Sequence, residues 1–95
     1  MEKAFVIDTI QSICKDIGFP FTTKVKTEKW KADVLVDCGP YKIAFNVCNL
    51  PRNVEEVYLA MRQERVCGCW MLMPSFFIRL GKKNIRFRLK ISFVL

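Results

Sequence analysis

Apolar residues recur at helical spacing near the start of the chain. Val6, Ile10, Ile13, Cys14 and Ile17 predict a helix from about Lys3 to Ile17, and Gly18 follows as a C-cap. Pro20 excludes continuation of that helix, and Phe21 to Thr27, rich in β-branched and aromatic residues, reads as a first strand. Trp30 to Asp37 and Tyr41 to Cys48 alternate as second and third strands, with Gly39-Pro40 turning the chain between them. After the break at Leu50-Pro51, Asn53 and Glu56 form an N-cap signature. Val54, Val57, Tyr58 and Met61 then supply one apolar stripe, which predicts a second helix from about Val54 to Arg65. Glu55 and Glu56 at its start and Arg62 and Arg65 at its end suit the helix dipole.

Cys67 to Met73 is an almost unbroken apolar run without charge, the pattern of a central strand covered on both faces. Phe76 to Leu80, the loop Gly81–Asn84 and Ile85 to Val94 read as a final hairpin. Its second arm alternates strictly, with Arg86, Arg88 and Lys90 on one side and Phe87, Leu89, Ile91 and Phe93 on the other. The order is α-β-β-β-α-β followed by a hairpin, which predicts an α/β chain of the α+β kind, a mixed sheet with helices packed on it. There is no internal repeat or linker, so residues 1–95 read as one domain, with a core over 1–73 and a basic hairpin over 74–95.

A hydrophobic fraction of 52% and a mean hydropathy of +0.15 are those of a folded chain with a core. No apolar run is long enough for a membrane span, and the start has no signal-peptide layout, so the expected compartment is the cytoplasm, with no membrane partner. The five cysteines, Cys14, Cys38, Cys48, Cys67 and Cys69, are then expected to be reduced and structural. With no histidine in the chain, zinc sites and Ser-His-Asp or Cys-His hydrolases are disfavoured or excluded. The four glycines are isolated, which leaves no phosphate-binding loop or dinucleotide fingerprint.

The net charge of +7 is unevenly placed. Arg79, Lys82, Lys83, Arg86, Arg88 and Lys90 fall between Ser75 and Leu95, where there is no acid, while the first 74 residues are close to balance. A polyanion-binding patch is the functional reading of that segment, and an ordinary solvated basic face is the alternative.

The candidate chemistry sits on the second and third strands. Alternation puts Lys31, Asp33, Leu35 and Asp37 on one face of the second strand, and Lys42, Ala44, Asn46 and Cys48 on one face of the third. If those faces coincide, Asp33 approaches Asn46 and Cys48. Phosphodiester hydrolysis with Mg²⁺ needs hard oxygen ligands, usually two carboxylates. Asp33 supplies one, Asn46 offers only an amide carbonyl, and the Cys48 sulfur suits Mg²⁺ poorly. Asn46 and Cys48 also read as plain strand-end residues.

With KADVLV on one strand, IAFNVC on the next and CWMLM after the second helix, the chain resembles the PD-(D/E)XK nuclease superfamily, and within it the competence protein CoiA-like nuclease domains. The resemblance covers about residues 2 to 73 and implies a restriction-endonuclease-like core. It makes Asp33 the metal-binding acid, places Asn46 where the family has its essential Glu, and places Cys48 where it has Lys or Gln. Glu2 would match a helix-1 acid and Arg62 a basic residue facing the site. The departures at Asn46 and Cys48 imply a nuclease-like domain whose hydrolytic chemistry is degenerate.

Three roles follow as expectations. One is a nucleic-acid-binding module, for DNA rather than RNA, acting through the C-terminal basic residues. A second is an active Mg²⁺-dependent DNA endonuclease with a divergent site, with Asp33 and Asn46 on the metal and a further carboxylate from Asp37, Glu2 or a partner subunit. The third is a non-catalytic interaction domain or homodimer, using the apolar side of the last strand and Phe76-Phe77.

Overall fold

A computed structural model of the protein describes residues 3–47, 50–72, 75–80 and 83–88, with side chains through Met71. The elements are α1 (Lys3–Ile17), β1 (Phe21–Lys26), β2 (Lys31–Asp37), β3 (Lys42–Val47), α2 (Val54–Gln63), β4 (Val66–Leu72), β5 (Ser75–Leu80) and β6 (Lys83–Arg88). The strands form one mixed sheet in chain order, β1 to β6. All neighbours are antiparallel except β3 and β4, which run parallel because α2 carries the chain back between them.

Local chemistry accounts for the element ends. α1 closes in a Schellman motif: Gly18 takes φ 79°, and the Phe19 N–H donates to the Cys14 carbonyl at 2.9 Å. At the start of α2, Asn53 Oδ1 accepts from the Glu56 N–H at 3.3 Å. α2 ends with Arg65 at φ 58°, a left-handed position where glycine is usual, and a non-glycine residue there costs about 1 kcal/mol. The Arg65 carbonyl accepts from the Lys42 N–H at 2.9 Å, so the turn into β4 is held by β3.

The helices cover opposite faces of the sheet. Ala44 packs in a cluster with Met61 of α2, Val66 and Trp70, whereas the next residue, Phe45, packs with Cys14 of α1, Val34 and Val36. Successive strand residues point to opposite faces, so the sheet is a layer between α1 and α2. β4 is central, as its uncharged run predicted, with Val66, Cys69 and Trp70 all buried.

Two expectations change. Ile13 and Ile17, placed in the core stripe of α1, are 53% and 57% exposed. Val6, Ile10 and Cys14 step round the helix by about 40° each with Ile7 beyond them, and this arc meets the sheet; Ile13 lies just outside the arc, and Ile17 is the last residue of the helix. Lys83 and Asn84, expected in the final loop, belong to β6 instead, paired with Leu80 and Arg79. The part of the last strand expected beyond Arg88 lies outside the described residues. None of the described helices is long and apolar enough to cross a membrane.

Candidate functional site

β1 and β2 change phase together at one point. Val34 and Val36 pack on the α1 side, yet Ala32, two residues earlier, packs with Trp30, Met61 and Trp70 on the α2 side. A regular strand would keep all three on one face. Lys24, in the left-handed region at φ 52°, sits between the pairs Thr23↔Val34 and Val25↔Ala32, opposite Asp33. The β2–β3 register likewise stops at Val34↔Phe45. Beyond it the Asp33 side chain takes over from the ladder: Oδ2 accepts from the Val47 N–H at 2.8 Å, and Oδ1 lies 3.5 Å from Lys3 Nζ on α1.

Asn46 goes the other way. β3 keeps its alternation, so Asn46 follows Ala44 on the α2 face, in register with Trp70 of β4. It is 3% exposed, and its Nδ2 has no hydrogen-bond partner among the described residues. The expectation that Asp33, Asn46 and Cys48 share one face is therefore corrected for the first pair: Asp33 faces Lys3 of α1, while Asn46 lines a pocket beside α2. Strict alternation failed because the strand twists out of phase at Asp33. Cys48 and Glu2 lie outside the described residues. Asp37 is at the far end of β2, where Oδ1 accepts from the Gly39 N–H at 2.9 Å and closes the β2–β3 turn. Arg62 is exposed on the last turn of α2.

Among the described residues, no three Cys, Asp or Glu side chains come together. Both Asp33 oxygens have partners, and Asn46 lies on the other face of the sheet.

The pocket that Asn46 lines has a volume of about 320 Å³. Asn46 and Trp70 form its floor, Trp30 and Val57 its walls, and Lys26, Lys29 and Lys31 its rim. The rim is built by the β1–β2 turn. Thr27 organises that turn: its N–H donates to the Trp30 carbonyl at 2.8 Å, and its Oγ1 accepts from the Trp30 N–H at 3.0 Å. The Trp30 indole Nε1–H donates to Glu64 Oε2 at 2.6 Å, tying the turn to the end of α2. Lys26 and Lys31 are direct cross-strand partners, an unfavourable like-charge pair. Sequence reasoning passed over this site. Its signal was Lys26-Thr27-Glu28-Lys29-Trp30-Lys31, which packs three lysines around one tryptophan.

The C-terminal basic residues are placed by register. Arg79 stands in β5 opposite Asn84, and in β6 Lys83, Arg86 and Arg88 stand opposite Leu80, Phe77 and Ser75. Lys82 and Lys90 lie outside the described residues.

Cys14, Cys38, Cys67 and Cys69 are thiols outside any disulfide. Burial, with Cys67 adding repulsion, pushes the Cys69 thiol up to about 12 from the ordinary 9.0. Burial also raises Cys67, and raises Cys14 with a further push from Cys38. Such thiols are poor nucleophiles at neutral pH. Because the folded state holds the Cys69 proton more tightly than the unfolded chain, stability is full below pH 9 and falls as pH rises towards 12. Urea titrations between pH 9 and 11 are expected to show Cys69 contributing a loss of up to about 1.4 kcal/mol per pH unit, so that the slope is reduced in Cys69→Ala and what remains comes from groups such as Cys67 and Cys14.

The fold and site define a mixed α/β protein with helices on both faces of its sheet and a basic, tryptophan-walled pocket at one end. No family model, curated protein or solved structure matches this chain.

Proposed function

We propose that this chain is a nucleic-acid-binding domain of PD-(D/E)XK nuclease-like build, close to the CoiA-like domains, that binds DNA without cutting it. The observation that carries the reading is Asn46: the position where the resemblance requires an acid holds a buried, uncharged amide turned away from Asp33. The element order supports the ancestry, with an antiparallel β1–β3 meander, α2 as crossover and β4 parallel to β3. The excess of positive charge supports the partner, since six basic residues and no acid lie between Ser75 and Leu95.

Gel retardation of a duplex oligonucleotide at about 50 and 200 mM salt tests the binding. Retardation that weakens steeply with salt is expected, because each phosphate contact releases counterions. No retardation at the lower salt overturns the reading. Incubation of DNA with Mg²⁺ or Mn²⁺ tests the loss of chemistry, with Asp33→Asn as control, because the amide oxygen still accepts from Val47. Cleavage that disappears in Asp33→Asn would instead establish the divergent endonuclease.

A further inference from the structure

The pocket beside α2 has a chemistry that binding through the C-terminal hairpin does not use. Asn46 is a buried amide with an unanswered donor, and a buried unpaired polar group costs about 1–3 kcal/mol. Asn46 lines the pocket, so a small turn of the buried amide would present Nδ2 to an acceptor on a ligand there. Lys26, Lys29 and Lys31 ring the mouth, and none has a carboxylate within ion-pair distance among the described residues. The like-charge pair Lys26↔Lys31 persists at a cost that an anion between the two strands would turn into a gain. Between floor and rim stand the Trp30 indole and Val57, and with the Trp70 indole at the floor they make an apolar surface suited to a flat ring.

We infer that this pocket takes one unpaired nucleotide. A carbonyl of the base accepts from Asn46 Nδ2, the ring lies against the tryptophan wall, and the phosphate is held by Lys26, Lys29 and Lys31. The choice of nucleotide rests on the nucleic-acid reading above, whereas the anion, the flat ring and the acceptor come from the pocket alone. A duplex hides its base edges in pairing, so the pocket distinguishes a free nucleotide or single strand from paired DNA.

Both tryptophans of the chain, Trp30 and Trp70, line this pocket, so intrinsic fluorescence reports its occupation. The probes are thymidine monophosphate, thymidine, an unphosphorylated thymidine octanucleotide, and a blunt duplex. Saturable quenching by the monophosphate is expected, at least tenfold tighter than by thymidine. Lys29→Glu, on the exposed turn, is expected to weaken it about tenfold. Asn46→Leu removes the orphaned donor with little change of volume. It is expected to fold at least as stably as the parent and to bind about fivefold more weakly.

Quenching by the monophosphate but not the octanucleotide assigns the site to a free nucleotide, and quenching by both assigns it to a strand. Absence of quenching by either overturns the inference, as does a response unchanged in both Lys29→Glu and Asn46→Leu, or benzoate binding as tightly as the nucleotide. The two proposals fail separately. Duplex retardation without a tryptophan response leaves the binding domain and removes this pocket, and quenching by the monophosphate without retardation does the reverse.

Discussion

Gly68→Ala is expected to destabilise the protein by about 3 kcal/mol, lowering the thermal midpoint by roughly 15 °C. A methyl group at position 68 would run into the Trp70 indole, whose ring supplies all three nearest atoms. The ring cannot swing aside at low cost, since Trp70 is 2% exposed and packs with Met61, Ala44 and Val66. Circular dichroism melts of the variant check this, and a loss below 1 kcal/mol would show that the ring has room to move. Pairing the change with Trp70→Leu is expected to recover part of the loss, because the smaller side chain vacates the space the methyl needs. Gly68 thus shapes the pocket floor through Trp70 without lining the pocket itself.

Asp33→Ala is expected to cost nearly as much, about 2–3 kcal/mol, although Asp33 is partly exposed. The loss comes from Val47, which is fully buried and whose N–H depends on the Asp33 carboxylate at the point where the β2–β3 register has ended. Asp33→Asn keeps an acceptor there and is expected to lose about 1 kcal/mol or less, since its partner Lys3 is 42% exposed and such ion pairs contribute little. Chemical denaturation of the two variants side by side separates the roles. Equal losses would move the weight from the Val47 bond to the ion pair. Asp33 joins two strands where they part, whatever its ancestry.

Much of the fold was legible in the chain. The caps Gly18 and Asn53 act where local residue chemistry put them, because both depend on neighbours within a turn. The central place of β4 followed from its uncharged run, since only a strand covered on both faces tolerates one. The helix stripe on α1 was legible only in part. Ile13 and Ile17 have the spacing of core residues, but which arc of a helix is buried depends on how the sheet meets it.

The candidate site was less legible. Period-two alternation let Asp33 and Asn46 share a face if the two strand faces coincided, and they do not: Lys24 adopts a left-handed conformation opposite Asp33, which no local residue pattern announced. The pocket was missed for a related reason. Lys26, Lys29, Trp30 and Lys31 are near neighbours in the chain, but Asn46, Val57 and Trp70 reach them only after the β3–α2–β4 crossover closes.

The stretch from Trp30 to Cys48 marks the boundary between the two kinds of information. By itself the sequence determined that two strands flank a tight turn, that an acid stands early on the first, and that an amide stands near the end of the second. Residue type and near-neighbour spacing carry those features wherever the chain goes. Only the tertiary structure decided that the acid turns to Lys3 and the Val47 N–H while the amide turns into a lysine-rimmed pocket. Side-chain direction there is set by strand twist, register and the opposite helix, which are long-range packing outcomes with no period in the sequence.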